Sequence, residues 1–183
     1  MDLEQTMELI KGRRSIRRFR EEKIDRKHLE MLVEAAIWAP SGSNAQAWQV
    51  VVVDDPVVLQ RLTAFLPGIL HSPPAMICLC VDYRRELGRA GKLGVDVLGV
   101  MDVSMAAQNI MLTAKALNLG SCAIKGFNED IIRMALALPE HVKPELLVIL
   151  GYPEKPVKAP GRRPLDEVLH WQKYRQEDGV HNG

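Results

Sequence analysis

The stretch DRKHLEMLVEAAIWAPSGSNAQAWQVVVVDDP, residues 25–56, changes its hydrophobic period from helical to extended across one short loop. Leu29, Leu32, Val33, Ala36 and Ile37 fall at i, i+3, i+4, i+7 and i+8, one face of a helix. Asp25 suits its N-cap and Pro40 its stop. Ser41-Gly42-Ser43-Asn44 has loop chemistry, and Trp48 to Val53 is aromatic and β-branched, the composition of a strand. Asp55 at N-cap and Pro56 at N1 then start a short helix carrying Leu59 and Leu62.

Outward from there, Pro73-Pro74 leads into Ala75 to Val81, apolar on both faces and therefore predicted to lie centrally in a covered sheet. Gly88, Gly91 and Gly94 recur every third residue, which is not the dinucleotide-binding pattern, and predict a flexible surface loop with no phosphate role. Asp96 to about Asn118 is apolar nearly all round, which predicts a helix enclosed by other elements and closed by Gly120. Ser121 to Ile124 is short and extended. Asn128 suits the cap of a helix through Ile131, Ile132 and Leu136 that Pro139 ends, and Glu145 to Leu150 is the last strand. Pro153, Pro156, Pro160 and Pro164 exclude regular structure and predict an extended arm, followed by a short helix near Asp166 to Tyr174. With no repeat and no linker between two cores, residues 1–183 read as one domain, of which 153–183 are the C-terminal arm and its helix. The element order places a mixed sheet between helical layers.

Composition narrows the function. At 183 residues and 47% hydrophobic, the chain can bury a substantial core. Lys plus Arg, 24, balance Asp plus Glu, 23, and a formal charge of +1 gives no footprint for general nucleic-acid or membrane-surface binding. Three cysteines and no apolar signal run after Met1 point to a reducing, cytoplasmic setting. Val95 to Leu117 contains Asp96, Asp102, Gln108, Asn109 and Lys115, too polar for a lipid-facing span. Cys78 and Cys80 share a strand face with no ligand partner at zinc spacing, and His28, His71, His141, His170 and His181 form no paired pattern, so no metal is expected.

Any anion site must therefore be local. Lys11, Arg13, Arg14, Arg17, Arg18 and Arg20 crowd together just before Glu21, Glu22 and Asp25. Such a run is either a solvated cationic face or one wall of a phosphate site, because the planar fork of arginine matches a phosphate dianion. Arg162-Arg163, far along the chain, is either surface charge or a second wall. A plain turn accounts for Pro40 and Gly42 but makes no demand for Asn44 and Gln46, whose amides bond hydroxyls and ring heteroatoms.

Taken together, four segments resemble the FMN-dependent nitroreductase family. They are Arg13-Arg14-Ser15-Ile16-Arg17-Arg18-Phe19; Ala39-Pro40-Ser41-Gly42-Ser43-Asn44-Ala45-Gln46-Ala47-Trp48; Asp102 to Gly120 with Gln108-Asn109 inside; and Gly151-Tyr152-Pro153 leading to Arg162-Arg163. The resemblance implies an α+β fold, three-layer α/β/α with a mixed, largely antiparallel central sheet. It also implies a homodimer that builds two FMN sites across its interface, each C-terminal arm reaching the partner subunit, with Trp171 against that partner. Trp38 and Trp48 are expected in the core or the interface. By the same resemblance Arg13 meets the FMN phosphate, Ser15 the phosphate or ribityl chain and Arg17 the pyrimidine edge. Arg14 stands in that wall, and Arg162 and Arg163 reach the same phosphate. Pro40, Ser41, Gly42, Ser43, Asn44 and Gln46 come to the flavin from the partner, with Ala47 where many relatives have proline. Ile124, Lys125 and Gly126 lie where backbone N–H groups approach flavin N5. Lys125, where many relatives have glutamate or another residue, either sits over the substrate cavity or points to solvent.

The implied activity is transfer of hydride from NADH or NADPH through flavin N5 to a nitroaromatic, quinone or similar small acceptor, in ping-pong order and without an acid–base dyad. The rivals are a specialised flavin reaction, such as reductive dehalogenation or dehydrogenation, and a non-catalytic FMN-binding protein. Nucleic-acid binding through Lys11 to Arg20 would demand a strongly salt-dependent affinity. Leu66 to Gly94, shorter than the lid of larger relatives, is expected to leave an open, permissive cavity.

Overall fold

The computed structural model describes residues 2–174. Asp2 and Gln5 form a capping box that starts α1 (Leu3–Gly12), a helix the sequence reading did not anticipate. Its signal is present, since Leu3, Met7 and Ile10 lie at i, i+4 and i+7, yet none of its residues is buried. Asp25 accepts from Lys27 N to cap α2 (Arg26–Ile37), β1 is Trp48–Val53, and Asp55 caps α3 (Pro56–Thr63). Next come β2 (Ala75–Asp82), α4 (Tyr83–Leu93), a π-helical turn Gly94–Leu98, α5 (Gly99–Ala116) and β3 (Gly120–Ile124). Asn128 caps α6 (Glu129–Ala135), followed by β4 (Val142–Gly151) and the single turn α7 (Leu165–Val168).

The sheet order is β1-β2-β4-β3 with every pair antiparallel, and one isolated parallel bridge joins Ser15 to Ser121. Strand β2 is central because both its faces are apolar. Ala75, Ile77, Leu79 and Val81 pack with α2 and α5, whereas Met76, Cys78 and Cys80 pack with α3 and α6. That division is the α/β/α layering, an α+β fold, and it puts Cys78 and Cys80 in the core. Asn109 donates to Ala35 O at 3.0 Å and ties α5 to α2 within one layer.

Four expectations need correction. Gly88, Gly91 and Gly94 do not form a loop: the first two lie in α4 and the third opens the π-turn. Gly91, at φ 64° and ψ −154°, absorbs the break in helix direction, so the chain keeps its hydrogen bonds while changing course. Packing of α4 on the π-turn, on β2 and on the Gly42–Asn44 turn holds this segment helical, which local propensity does not register. Within one chain helix α5 is not enclosed, because Val103, Ala106, Ile110 and Ala114 face the sheet while Val100 and Met101 stay 40% and 51% exposed. The last helix ends at Val168 instead of near Tyr174; it buries no side chain, and a single unpacked turn does not propagate. Strand β4 starts at Val142, ahead of the expected Glu145, since Leu79 pairs with Leu146 but Cys80 pairs with Pro144, leaving Glu145 as the extra residue of a β-bulge. The end of the expected arm, 175–183, lies outside the described residues.

Candidate functional site

Beyond α1 the chain crosses the end of the sheet. Ile16 N donates to Ser121 O and Arg20 N to Tyr152 O, both at 2.9 Å. The crossing is possible because Gly120 and Gly151, a cross-strand pair, leave a notch: a Cβ at Gly120 would come within 2.8 Å of Ile16, and one at Gly151 within 2.7 Å of Phe19. Ile16 is buried there and Ser15 and Arg17 are left exposed. The alternation holds the cationic run beside β3, whose next residues are Lys125 and Gly126. Ala123 lies exposed in that otherwise buried strand, and around Gly126 a Cβ would meet nothing within 4 Å. Among the described residues the side chains of Arg13 and Arg17 make no hydrogen bond or ion pair, which leaves both available to an anion. Arg14 is committed otherwise, donating to the carbonyls of Lys11 and Arg13 at the end of α1. A cavity of about 420 Å³ opens here, lined by Arg13, Arg14, Lys115, Ser121 and the start of the arm at Pro153.

The second predicted segment sits elsewhere. Ser43, Asn44 and Gln46 all adopt positive φ, 50–51°, a conformation that costs side-chain-bearing residues energy unless the surroundings enforce it. They do so here. Asp102 of α5 accepts from Gly42 N at 3.1 and 3.2 Å, Arg85 of α4 donates to Ala45 O at 2.6 Å, and Ser41 Oγ accepts from Gln46 N at 3.1 Å. Asn44 and Gln46 bond each other at 2.9 Å and remain exposed. The sequence reading missed Arg85 and Asp102 as loop anchors; the available signal was a carboxylate set among the apolar residues of a long helix.

The two segments lie at opposite ends of α5. Asp102 holds the loop near the first turn, and Lys115, near the last, packs on Gly12, whose Cβ would lie 3.1 Å from Lys115 Cε. At 1.5 Å per residue these anchor points are about 20 Å apart. One chain therefore brings Arg13 and Ser15 to the start of β3, the strand that leads into Ile124, Lys125 and Gly126, and does not bring Pro40 to Gln46 to them. Arg162 and Arg163 also stay apart, Arg162 donating to Gly161 O at 3.0 Å and Arg163 pairing with Glu167 at 3.0 Å. A further cavity, about 850 Å³ between Arg18–Lys23, α3 and Leu70–Pro74, is lined by none of the predicted site residues.

Comparison with known proteins decides the family: residues 10–77 and 64–152 match the nitroreductase family. The chain belongs to that family. It is similar to an oxygen-insensitive NADPH nitroreductase of Salmonella typhimurium, 31% identical over 94% of this chain and 76% of the relative. An NADH dehydrogenase of Thermus thermophilus is 30% identical, covering 87% of this chain and 92% of that one. Among solved structures, the NADPH:FMN oxidoreductase of Vibrio harveyi complexed with NAD+ superposes with a TM-score of 0.83 at 26% identity, over 94% of this chain and 79% of that chain.

In this nitroreductase Lys125 is paired, although its side chain is 60% exposed. Its Nζ lies 2.7 Å from Glu145 Oε2 and 5.5 Å from the centre of the Phe127 ring. Glu145, the bulge residue, also takes Tyr83 OH at 2.9 Å and Lys143 Nζ at 3.1 Å, so a buried carboxylate anchors the turn after β3 to α4 and β4. Burial alone would raise the Glu145 carboxyl, but the bonds from Lys125, Lys143 and Tyr83 outweigh it and hold the group below the usual glutamate range. The folded state thus favours the ionised form. This stability is present above the ordinary glutamate pKa and is lost as pH falls through the lowered one. Glu145→Gln is expected to cost about 2 kcal/mol at neutral pH. Urea unfolding between about pH 6 and 3 should show the Gln variant losing less stability with acid than the parent; parallel losses would refute the assignment.

Proposed function

We propose that this nitroreductase is a homodimer with one FMN per subunit at the interface, passing hydride from NADH or NADPH to a small oxidised acceptor such as a nitroaromatic or quinone in ping-pong order. The observation that carries the dimer is the separation of the two site segments along α5. A two-fold axis that pairs these helices in opposite directions sets one subunit's Arg13 beside the other's Gly42. An apolar surface accompanies them: Ile37, Trp38, Leu93, Val97, Val100 and Met101 are exposed on the layer of α2, α4 and α5. Patches of this kind mark protein interfaces.

The residues present suit the flavin. Free Arg13 and Arg17 supply fixed positive charge for the phosphate and for the electron-rich pyrimidine edge, and the open backbone at Gly126 admits a flat ring beside N–H donors. Ser15 supplies a hydroxyl for the phosphate or ribityl chain. From the partner, Pro40, Ser41 and Gly42 shape the approach, and Ser43, Asn44 and Gln46 present hydroxyl and amide groups. Arg162 and Arg163 add positive charge once the arm is placed by the dimer. When bound, FMN supplies the hydride chemistry. The protein holds it, fixes charge near it and leaves one face accessible, so no acid–base pair is needed. The names of the relatives, NADPH nitroreductase and NADPH:FMN oxidoreductase, support the cofactor and the donor. The stretch 66–94 is not a lid; it contains the core strand β2 and the helix α4. Access is then open and favours varied acceptors in the cytoplasm.

Mixing two defective variants tests the shared site. Arg13→Ala and Asn44→Ala/Gln46→Ala subunits, each weak in FMN binding, should recover on subunit exchange about a quarter of the high-affinity sites, because each heterodimer rebuilds one intact site. Anaerobic bleaching of the recovered yellow protein by NADH or NADPH reads the activity. No recovery in subunits proven to exchange would place the site within one chain.

A further inference from the structure

Glu86 of α4 is fully buried, and neither of its carboxyl oxygens has a hydrogen-bond partner. An ionised carboxylate left so would cost several kcal/mol, and burial accordingly favours the protonated form. The fold is shaped around it: a Cβ at Gly94 would lie 2.6 Å from Glu86 Oε2 and one at Gly99 3.4 Å from Glu86 Cγ. From α5 comes a second buried carboxyl, Asp102, 2% exposed, and this is the group that accepts Gly42 N with both oxygens. The titratable groups acting on Glu86 are Asp102 from α5 and the Tyr83 phenol one turn back on α4. Gly94 and Gly99, which pack against the Glu86 side chain, carry no charge. Arg85 donates to Ala45 O, and among the described residues no cation pairs with Glu86 or Asp102.

Burial, reinforced by the Asp102 charge, pushes Glu86 up; burial also pushes Asp102 up, opposed by the Gly42 N–H. Gly99, whose Cβ would lie 3.4 Å from Glu86 Cγ, stands one turn before Asp102 on α5, so the two buried carboxyls are neighbours where α4 meets α5 and ionise one at a time. Geometry decides which goes first: Asp102 has an N–H to receive its charge and Glu86 has nothing.

We propose that Glu86 is a positioning residue for the flavin site: by holding a proton beside Asp102, it lets Asp102 carry the single charge that clamps Gly42 and keeps Ser43, Asn44 and Gln46 in their left-handed conformations. This rests on the reading that the loop binds FMN. Glu86 is not catalytic; it acts through Asp102 alone. When it gives its proton to solvent, a second negative charge appears beside the first, the pair separates, and Gly42 loses its acceptor. Because the neutral acid is the folded form, the clamp is intact below the raised pKa of Glu86 and is lost as pH rises through it.

The test compares the full-length protein with Glu86→Gln, which keeps the shape and neutrality of the acid but cannot ionise. FMN affinity, by flavin fluorescence, and hydrogen-exchange protection of residues 40–47 are followed from about pH 6 to 10. The parent should weaken toward the alkaline end, approaching about tenfold per pH unit, with protection at 40–47 falling in step. The Gln variant should bind within about twofold of the parent at neutrality and hold both affinity and protection as pH rises. A pH dependence common to both proteins would belong to the ligand and would overturn the proposal. So would unchanged protection of 40–47 in Asp102→Asn, or constant protection in the parent across the range, measurements that need no folded Gln variant. Should the parent bind no FMN at any pH, the flavin reading falls by itself, and the exchange data still decide the clamp.

Discussion

Replacing Arg13 with alanine is expected to weaken FMN binding by about 100-fold while leaving the melting temperature of the apoprotein unchanged. A charge-assisted bidentate bond to phosphate is worth up to about 3 kcal/mol, which is a factor of about 100 in affinity. The fold among the described residues does not depend on this guanidinium, because there the Arg13 side chain bonds to no other group and only its backbone N–H, to Leu9 O at 3.2 Å, closes α1. The neighbouring Arg14 supplies the control. Its guanidinium caps carbonyls at the end of the same helix, so Arg14→Ala should lower stability slightly and hardly change affinity. Isothermal titration of both variants with FMN separates a phosphate ligand from a general cationic surface, on which the two arginines would count equally.

Gly151→Val should destabilise the protein by about 3 kcal/mol, lowering the melting temperature by about 6–12 °C, and should weaken FMN binding as well. The added atoms would stand 2.7 Å from Phe19 Cβ and Cγ, where the crossing segment lies on the strand and cannot give way without leaving the sheet. Lifting Phe19 breaks its bridge to Pro153 and loosens the bonds that place Arg17 to Arg20. Stability and affinity are thus lost together, whereas Arg13→Ala loses affinity alone. Differential scanning calorimetry beside flavin titration reads both. A Val variant with full FMN affinity would show that the crossing does not position the arginines.

Much of this was legible in residue order. The period of Leu29 to Ile37, the Asp25 and Asp55 caps and the two-faced apolarity of β2 are local signals, and each element formed where those signals stood. The resemblance through Arg13 to Phe19 and Pro40 to Gln46 led to the family, which the comparisons show. The helical course of Gly88 to Gly94 was not legible, because a glycine-rich stretch has low propensity and is helical here through the packing of α4 on the π-turn, β2 and the Gly42–Asn44 turn. Nor was the partner of Lys125, since a lysine and a glutamate 20 positions apart meet only through a bulge in β4.

The sequence by itself determined the elements, the family and the identity of the cations available for an anion, because helix period, caps and side-chain charge are properties of neighbours along the chain. Tertiary structure alone decided which of those groups are free: Arg14 committed to helix carbonyls, Arg13 and Arg17 unpaired among the described residues, Lys125 tied to Glu145, and Glu86 sealed where α4 meets α5. It also set the two halves of the candidate site at opposite ends of α5. Burial, pairing and distance depend on residues remote in sequence, so they exist only once the layers have packed.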